Sequence, residues 1–235
     1  MFWDVHSHVV PSGDDGVASV DEGLELCREA ARRGTTVLFA TPHVWPHLEL
    51  SAEREEAIRS AHAAMVPRAA EAGLDLRLGF ELTPGPALLE EDLGRYRLGE
   101  TSAVLMELPF AGPLGLAERV AEEIEAAGLA PVVAHPERAR AVTDDPGRAT
   151  AYHERGWLLQ VNATSLLGYH GDGPARTAWQ LVEEGLVALV GSDGHRARRP
   201  PFLDEAYGAV RGRVGEAAEA LFDGSALQAL VVPRV

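Results

Sequence analysis

Short apolar stretches rich in β-branched residues recur along the chain at 2–5, 36–40, 76–80, 103–106, 131–134, 158–161 and 187–190, and most are followed by a longer segment of helical periodicity. Apolar runs of this length, bounded by turn residues, read as buried strands. The intervening segments carry helix start and stop signals. Ser19-Val-Asp-Glu22 reads as a capping box, Leu24, Cys27 and Ala31 then share one helical face, and Gly34 is the stop. Leu116, Val120 and Ile124 repeat the pattern ahead of Gly128; Asp145-Pro146 opens a helix that Gly156 closes, and Pro174 opens one that Gly185 closes. Segment 84–100 reads as a loop with one short helix. Seven strand–helix units predict an α/β fold with a parallel sheet covered by helices, a (β/α)7 barrel of the TIM type with one unit fewer; an open doubly wound sheet is the alternative. With no low-complexity linker and no internal repeat, residues 1–235 are expected to form a single domain.

What ends each strand is informative. The first ends in His6-Ser-His8, the second in Thr41-Pro-His43, the third in Glu81 and the fourth in Glu107; the fifth ends in His135-Pro-Glu-Arg138, the sixth in Asn162 and the seventh in Ser192-Asp193-Gly-His195. In a parallel barrel these ends meet at the C-terminal face, where such enzymes place their active sites. Five of the nine histidines fall there. His-x-His on a strand turns two imidazoles to one face, because side-chain direction alternates with period two. Any one of these residues has an ordinary structural explanation, but several strands delivering imidazole and carboxylate to one ring predict a polynuclear metal site, since clustered carboxylates repel without a cation. A thiolate-free mixture of imidazole and carboxylate suits Mn(II), Fe(II) or Zn(II), and the chemistry implied is metal-assisted hydrolysis. Arg138 beside His135, and Arg196, Arg198 and Arg199 beyond His195, suggest an anionic, phosphate-bearing substrate.

Composition narrows the field further. The chain has 235 residues and a formal charge of −15, and all 21 of its basic residues are arginine. Without lysine, Schiff-base, pyridoxal-phosphate and Walker-type mechanisms are excluded. So negative a chain is not expected to bind duplex nucleic acid. The single cysteine, Cys27, reads as a core residue. No signal peptide and no apolar run of the roughly 18 residues a span requires is seen, so no membrane insertion and a cytoplasmic location are expected.

The motifs Asp4-Val-His-Ser-His8, Asp14-Asp-Gly16, Ala40-Thr-Pro-His43, Gly79-Phe-Glu81, Met106-Glu-Leu-Pro-Phe110, Val133-Ala-His-Pro-Glu-Arg138, Gln160-Val-Asn162 and Gly191-Ser-Asp-Gly-His195 resemble, in this order, those of the PHP (polymerase and histidinol phosphatase) superfamily. Within it the chain looks like the bacterial capsule and exopolysaccharide tyrosine phosphatases of the CpsB/YwqE type. The resemblance implies a distorted seven-stranded barrel, the PHP fold, with two or three divalent ions, manganese first and iron or zinc as alternatives. It implies one ion on His6, His8, Glu81 and Asp193, a second on Glu81 as bridge, Glu107 and His135, and a third on Asp15, His43 and His195. Asp15 is preferred to Asp14 because it adjoins the glycine. Arg138 and Arg199 match the family's phosphate-binding arginines, with Arg196 and Arg198 competing for the second place.

The implied reaction is hydrolysis of phosphotyrosine by a metal-bridging hydroxide, on the tail of a bacterial tyrosine kinase or another phosphorylated protein. A phenolate, of pKa about 10, leaves without strong general-acid help, so His43 and His195 are only candidate proton donors. The alternative is a small-molecule phosphomonoesterase acting on a histidinol-phosphate-like or nucleotide substrate. Trp45 could stack on an aryl group at the mouth, or anchor its loop, whereas His47, His62, His153 and His170 read as surface or loop residues.

Overall fold

A computed structural model describes residues 1–231. Its strands are β1 (Phe2–Ser7), β2 (Thr35–Ala40), β3 (His43–Val44), β4 (Asp75–Leu78), β5 (Glu81–Leu82), β6 (Ala103–Glu107), β7 (Ala130–Ala134), β8 (Leu158–Asn162) and β9 (Val187–Gly191). They pair in parallel, in the orders β1-β2-β4 and β3-β5-β6-β7-β8-β9. Seven staves become nine strands because two of them are interrupted. β2 and β3 are halves of one stave broken at Thr41-Pro42, where proline has no N–H to give to a ladder. β4 and β5 are halves of another, broken at Gly79-Phe80.

Backbone bonds run through both breaks: Thr41 N–H donates to Ser7 O at 2.7 Å, Gly79 N–H to Ala40 O at 2.9 Å and Glu81 N–H to Pro42 O at 3.1 Å. Below the second break the chain returns from segment 84–100 and fills the gap between β4 and β6, with Gly99 N–H donating to Leu78 O and Leu98 N–H to Ala103 O, each at 2.8 Å. That segment holds two short 3-10 turns, Pro86–Leu89 and Leu93–Tyr96, where one helix was expected. The last seam closes beyond β9, where Asp193 N–H donates to His6 O at 2.8 Å and His8 N–H to Gly194 O at 2.6 Å. The ring of staves is thus complete but uneven.

The main helices follow the strands: Val20–Arg32, Ala52–Ala70, Gly115–Ala126, Gly147–Glu154, Asp172–Glu183 and Asp204–Val214. Ser19 caps the first, its Oγ accepting from Glu22 N–H, while the Glu22 carboxylate reaches back to Ala18 N–H at 2.8 Å. The helix expected from Asp145-Pro146 begins at Gly147, and the one expected at Pro174 begins two residues earlier, at Asp172.

Two apolar clusters result. One fills the lower barrel with Val5, Val37, Phe39, Leu105, Val132 and Leu189, and the other lies between the strands and the outer helices. A fully buried residue such as Leu105 contributes about 1.5–3 kcal/mol. Cys27 belongs to the outer cluster, and burial pushes its thiol up to about 12.

Two outcomes follow from this packing. A Cβ on Gly79 would lie 2.6 Å from Leu98 Cδ2 and 3.1 Å from Leu98 Cα. Gly79→Ala is expected to cost about 1–3 kcal/mol by overpacking, seen as a melting temperature lowered by several degrees in a thermal scan. Cys27 should resist thiol-disulfide reagents in the native protein and react only on denaturation; immediate labelling would contradict its burial.

Candidate metal centre

The polar strand ends gather at the C-terminal mouth, above the apolar floor. His6 and His8, two apart on and just past β1, turn their rings the same way, with their Nε2 atoms 3.2 Å apart. Two imidazole nitrogens cannot both carry protons toward each other at that distance, but both can face one cation. Asp193 Oδ1 lies 3.6 Å from His6 Nε2 and 3.5 Å from His8 Nε2, and Glu81 Oε2 lies 3.1 Å and 3.3 Å from the same two atoms. Glu81 then reaches outward on both sides, Oε1 to His135 Nε2 at 3.0 Å and Oε2 to His43 Nδ1 at 2.9 Å. Beyond His43, Asp15 Oδ1 lies 3.5 Å from His43 Nε2 and 3.1 Å from His195 Nε2.

Three overlapping groups of possible ligand atoms emerge: His6 with His8 and Asp193, His6 with Glu81 and His135, and His8 with His43 and His195. They differ in detail from the sets implied by the resemblance. Glu107 stands at the edge, its Oε2 4.0 Å from His135 Nε2 and its Oε1 accepting from Thr83 Oγ1. Asp15, whose side chain is 59% exposed, joins from the rim. Asp14 is the loop anchor: its side chain is buried and accepts from Gly16 N–H and His43 N–H, each at 2.9 Å.

Several of these atoms are buried with no acceptable hydrogen-bond partner, among them Glu81 Oε2, His8 Nδ1, His43 Nδ1 and His195 Nε2. Buried polar atoms without partners are uncommon and costly. Nitrogens and carboxylate oxygens about 3 Å apart, all aimed at shared points, fit divalent ions bound by N and O ligands at about 2.1 Å. The residues present therefore fit the implied metal.

The electrostatics agree. Burial alone would depress His6 and His8, but the carboxylates around them, Glu81 and Asp193 and for His8 also Asp14, hold both above the usual imidazole range. Burial opposes ionisation of Glu81 and Asp193 too, yet the surrounding histidines, with Arg199 beside Asp193, hold both well below the usual carboxylate range. Glu107 goes the other way, pushed up to about 8 by burial and by the charge on Glu81.

Around the ligand atoms stand residues to which the sequence reading gave no ligand or catalytic role, although it marked Asn162 as the polar end of its strand. Gln160 Oε1 meets His6 Nδ1 at 2.9 Å and its Nε2 donates to Asn162 Oδ1; Asn162 Nδ2 in turn donates to Asp193 Oδ2 at 2.8 Å. The signal was available: both are polar side chains on one face of an otherwise apolar strand. Asp4 Oδ1 accepts from Ser192 N–H at 2.9 Å and so ties β1 to the turn after β9. His135 and Asp193 both adopt left-handed backbone, with φ of 33° and 53°. Such conformations are unfavourable for residues other than glycine and concentrate at functional sites.

The arginines separate clearly. Arg138 Nη1 donates to Asp193 Oδ2 at 2.9 Å, and Arg199 approaches His195 Nδ1 and lies 3.7 Å from Asp193 Oδ1. Arg196 reaches only the backbone oxygen of Asp15, and Arg198 is exposed. Asp15, His195 and these last three arginines line an open cavity of about 300 Å³. A larger one, of about 950 Å³, lies away from the site against the outside of β4. Arg77 there is held by Asp75, and Arg95 and Arg59 by Glu55, and none of the three candidate ligand groups lies in it.

Fold and site together define a parallel α/β barrel with overlapping groups of side chains that could hold metal ions at its C-terminal mouth. The chain belongs to the CpsB/CapC family of capsular polysaccharide synthesis, whose pattern matches residues 2–228. It is 30% identical over 215 residues to the tyrosine-protein phosphatase CpsB of Streptococcus agalactiae, covering 87% of each chain. It is 29% identical over 207 residues to the tyrosine-protein phosphatase YwqE of Bacillus subtilis, covering 85% of this chain and 79% of that one. Among solved structures it matches one from work on YwqE of Bacillus subtilis and CpsB of Streptococcus pneumoniae, described as metal-dependent tyrosine phosphatases. The TM-score is 0.85 at 27% identity, covering 97% of this chain and 93% of that one. A D-hydantoinase, with a TM-score of 0.55 at 14% identity over 92% of this chain and 66% of that one, shares the fold alone.

Glu107 generates a prediction. A carboxyl group raised to about 8 is protonated in the ion-free protein at neutral pH, and a cation favours its charged form. Loading with manganese at pH 7 should therefore release protons, from Glu107 together with the raised His6 and His8, and the Glu107 share falls as the pH passes 8. Calorimetry in buffers of different ionisation enthalpy measures this, and heats independent of buffer at pH 7 would contradict it.

Proposed function

We propose that the protein is a metal-dependent protein-tyrosine phosphatase, a single domain expected over residues 1–235, of which 232–235 lie outside the described residues, that works in the cytoplasm on phosphorylated proteins of capsule or exopolysaccharide synthesis. The observation that carries this reading is the run of overlapping imidazole–carboxylate groups flanked by Arg138 and Arg199 at Asp193. Family membership and the activity of the curated relatives support the substrate class. The phosphotyrosine tail of a bacterial tyrosine kinase is the substrate proposed, and neither nucleic acid nor membrane insertion is part of this reading. No helix among the described residues is long and apolar enough to cross a membrane.

His6, His8, Glu81 and Asp193 would hold one ion, Glu81, Glu107 and His135 a second, and Asp15, His43 and His195 a third. Manganese is the first choice for a thiolate-free donor set, with iron or zinc as alternatives. Such ions acidify bound water near neutral pH and offset the charge of phosphate oxygens. The remaining work falls to the chain itself. Arg138 and Arg199 present guanidinium groups at the edge of the cluster, 20% and 29% exposed, where they can take phosphate oxygens as well as the Asp193 carboxylate. Asp193 holds them in place until substrate arrives.

Asn162 and Gln160 fix the Asp193 carboxylate and the His6 ring, setting which nitrogen of His6 faces the cluster. His43 has a carboxylate near each ring nitrogen, and His195 has Asp15 at one nitrogen and Arg199 at the other. These surroundings support a ligand role for both over that of free proton donor, which suits a phenolate that leaves readily without protonation.

The test is hydrolysis of a phosphotyrosine peptide by the metal-loaded protein. Chelation and His135→Ala should abolish turnover, and Arg138→Ala should lower kcat/KM by about a hundredfold or more, the usual cost of losing one group that stabilises developing charge. Inactivity with Mn, Fe, Co and Zn alike, or a large preference for one small phosphorylated metabolite over peptides, would overturn the assignment.

A further inference from the structure

One aromatic side chain at the mouth has no place among the ion-holding residues. Phe110 lies three residues past the end of β6 and is 49% exposed, an unusual state for a large apolar side chain in this molecule. Its backbone is nonetheless fixed: Arg140 N–H donates to Phe110 O at 2.9 Å, tying the loop after β6 to the loop after β7. The guanidinium carbon of Arg138 sits 4.6 Å from the Phe110 ring centroid, and the His135 ring lies 5.8 Å away at 40°. Arg138 therefore spans from the Asp193 carboxylate to the aromatic ring, and part of that ring stays open above the site.

Trp45 is the rival platform. Its ring is stacked on His43 at 4.5 Å and 25°, and on His47 at 5.2 Å and 18°. Two imidazoles already engage the indole, and it is more buried than Phe110. Of the two, Phe110 has the surface to offer.

We infer that Phe110 is the residue that selects an aryl phosphate, with the aromatic ring of the substrate packing on Phe110 while Arg138 beside it takes the phosphate. This rests on the phosphatase reading above. The phosphate end of the site is common to all monoesters, so discrimination between aryl and alkyl esters has to come from a surface that meets the group beyond the ester oxygen. Phe110 supplies it next to the arginine that fixes the phosphate. A fixed aromatic platform loses little entropy when a second ring stacks on it.

The experiment compares the full chain, manganese-loaded, as wild type, Phe110→Leu and Phe110→Tyr. It reads kcat/KM for phenyl phosphate and n-butyl phosphate, and the binding of phenylphosphonate and butylphosphonate by calorimetry. Phe110→Leu should lower the phenyl-to-butyl ratio by about two- to tenfold, the size of one aromatic pair, through KM rather than kcat, with Phe110→Tyr close to wild type. Phenylphosphonate binding should weaken by the same factor while butylphosphonate binding holds. An equal fall for both esters would make Phe110 only a support for Arg138, and an unchanged ratio would leave it without a role; either overturns the inference. If the wild type hydrolyses neither ester, the phosphatase reading fails, and the phosphonate pair still decides whether Phe110 recognises an aryl group.

Discussion

Glu81 is fully buried, and its two oxygens lie within 3.3 Å of ring nitrogens from His6, His8, His43 and His135. A carboxylate withdrawn from water in this way survives as an anion only if positive charge is brought to it. The histidines supply some, at the cost of crowding one another. The arrangement becomes self-consistent if metal ions share those lone pairs, and the upper barrel is then a set of candidate ligands whose electrostatic balance cations would complete. The β4–β5 break puts Glu81 at the centre. The interrupted stave lets its upper half pair with β3 and β6 while its lower half stays beside β2.

Apolar and charged layers share the same strands. β6 contributes Leu105 to the floor and Glu107 to the mouth, two positions apart on one face, and the chain passes from Leu189 in β9 to Asp193, two residues past its end. The floor gives the fold its hydrophobic stabilisation and holds the mouth rigid enough to keep like charges together. Left-handed backbone at His135 and Asp193, two residues that carry candidate ligand atoms, is tolerated because their neighbours over-determine it: His135 N–H is bonded to Gln160 O, and the next residue after Asp193 is a glycine whose Cβ would strike Pro201.

Much of this was legible in the sequence because it depends on periodicity and on strand ends. The seven staves, the capping box at Ser19 and the polar residues at the mouth follow from alternation and from where apolar runs stop. What was not legible depends on contacts between distant segments. The breaks at Thr41-Pro42 and Gly79-Phe80 read as strand ends, since only the backbone bonds from Ser7, Ala40 and Pro42 show that the staves continue. Helix Ala52–Ala70 buries few residues, chiefly Ile58, Met65 and Ala69, so no broad apolar stripe announces it. Asp14 and Asp15 are adjacent and chemically alike; the close approach of Gly16 to His8 O, where a Cβ would sit at 2.6 Å, helps place one inward and the other toward His195. Phe110 and Gln160 took part in recognisable motifs, but their contacts with Arg138 and His6 come from elements far apart in the chain.

The stacking of Trp45 on His43 carries a consequence of a different kind. The His43 ring is part of the immediate surroundings of the indole, and it lies between two carboxylates at one edge of the cluster. The other three tryptophans, Trp3, Trp157 and Trp179, pack elsewhere, against Phe39, Tyr152 and Arg213. The barrel thus carries one indole in direct contact with a candidate ligand, so that a rearrangement of His43 on loading the mouth would fall on a built-in fluorophore without any added label.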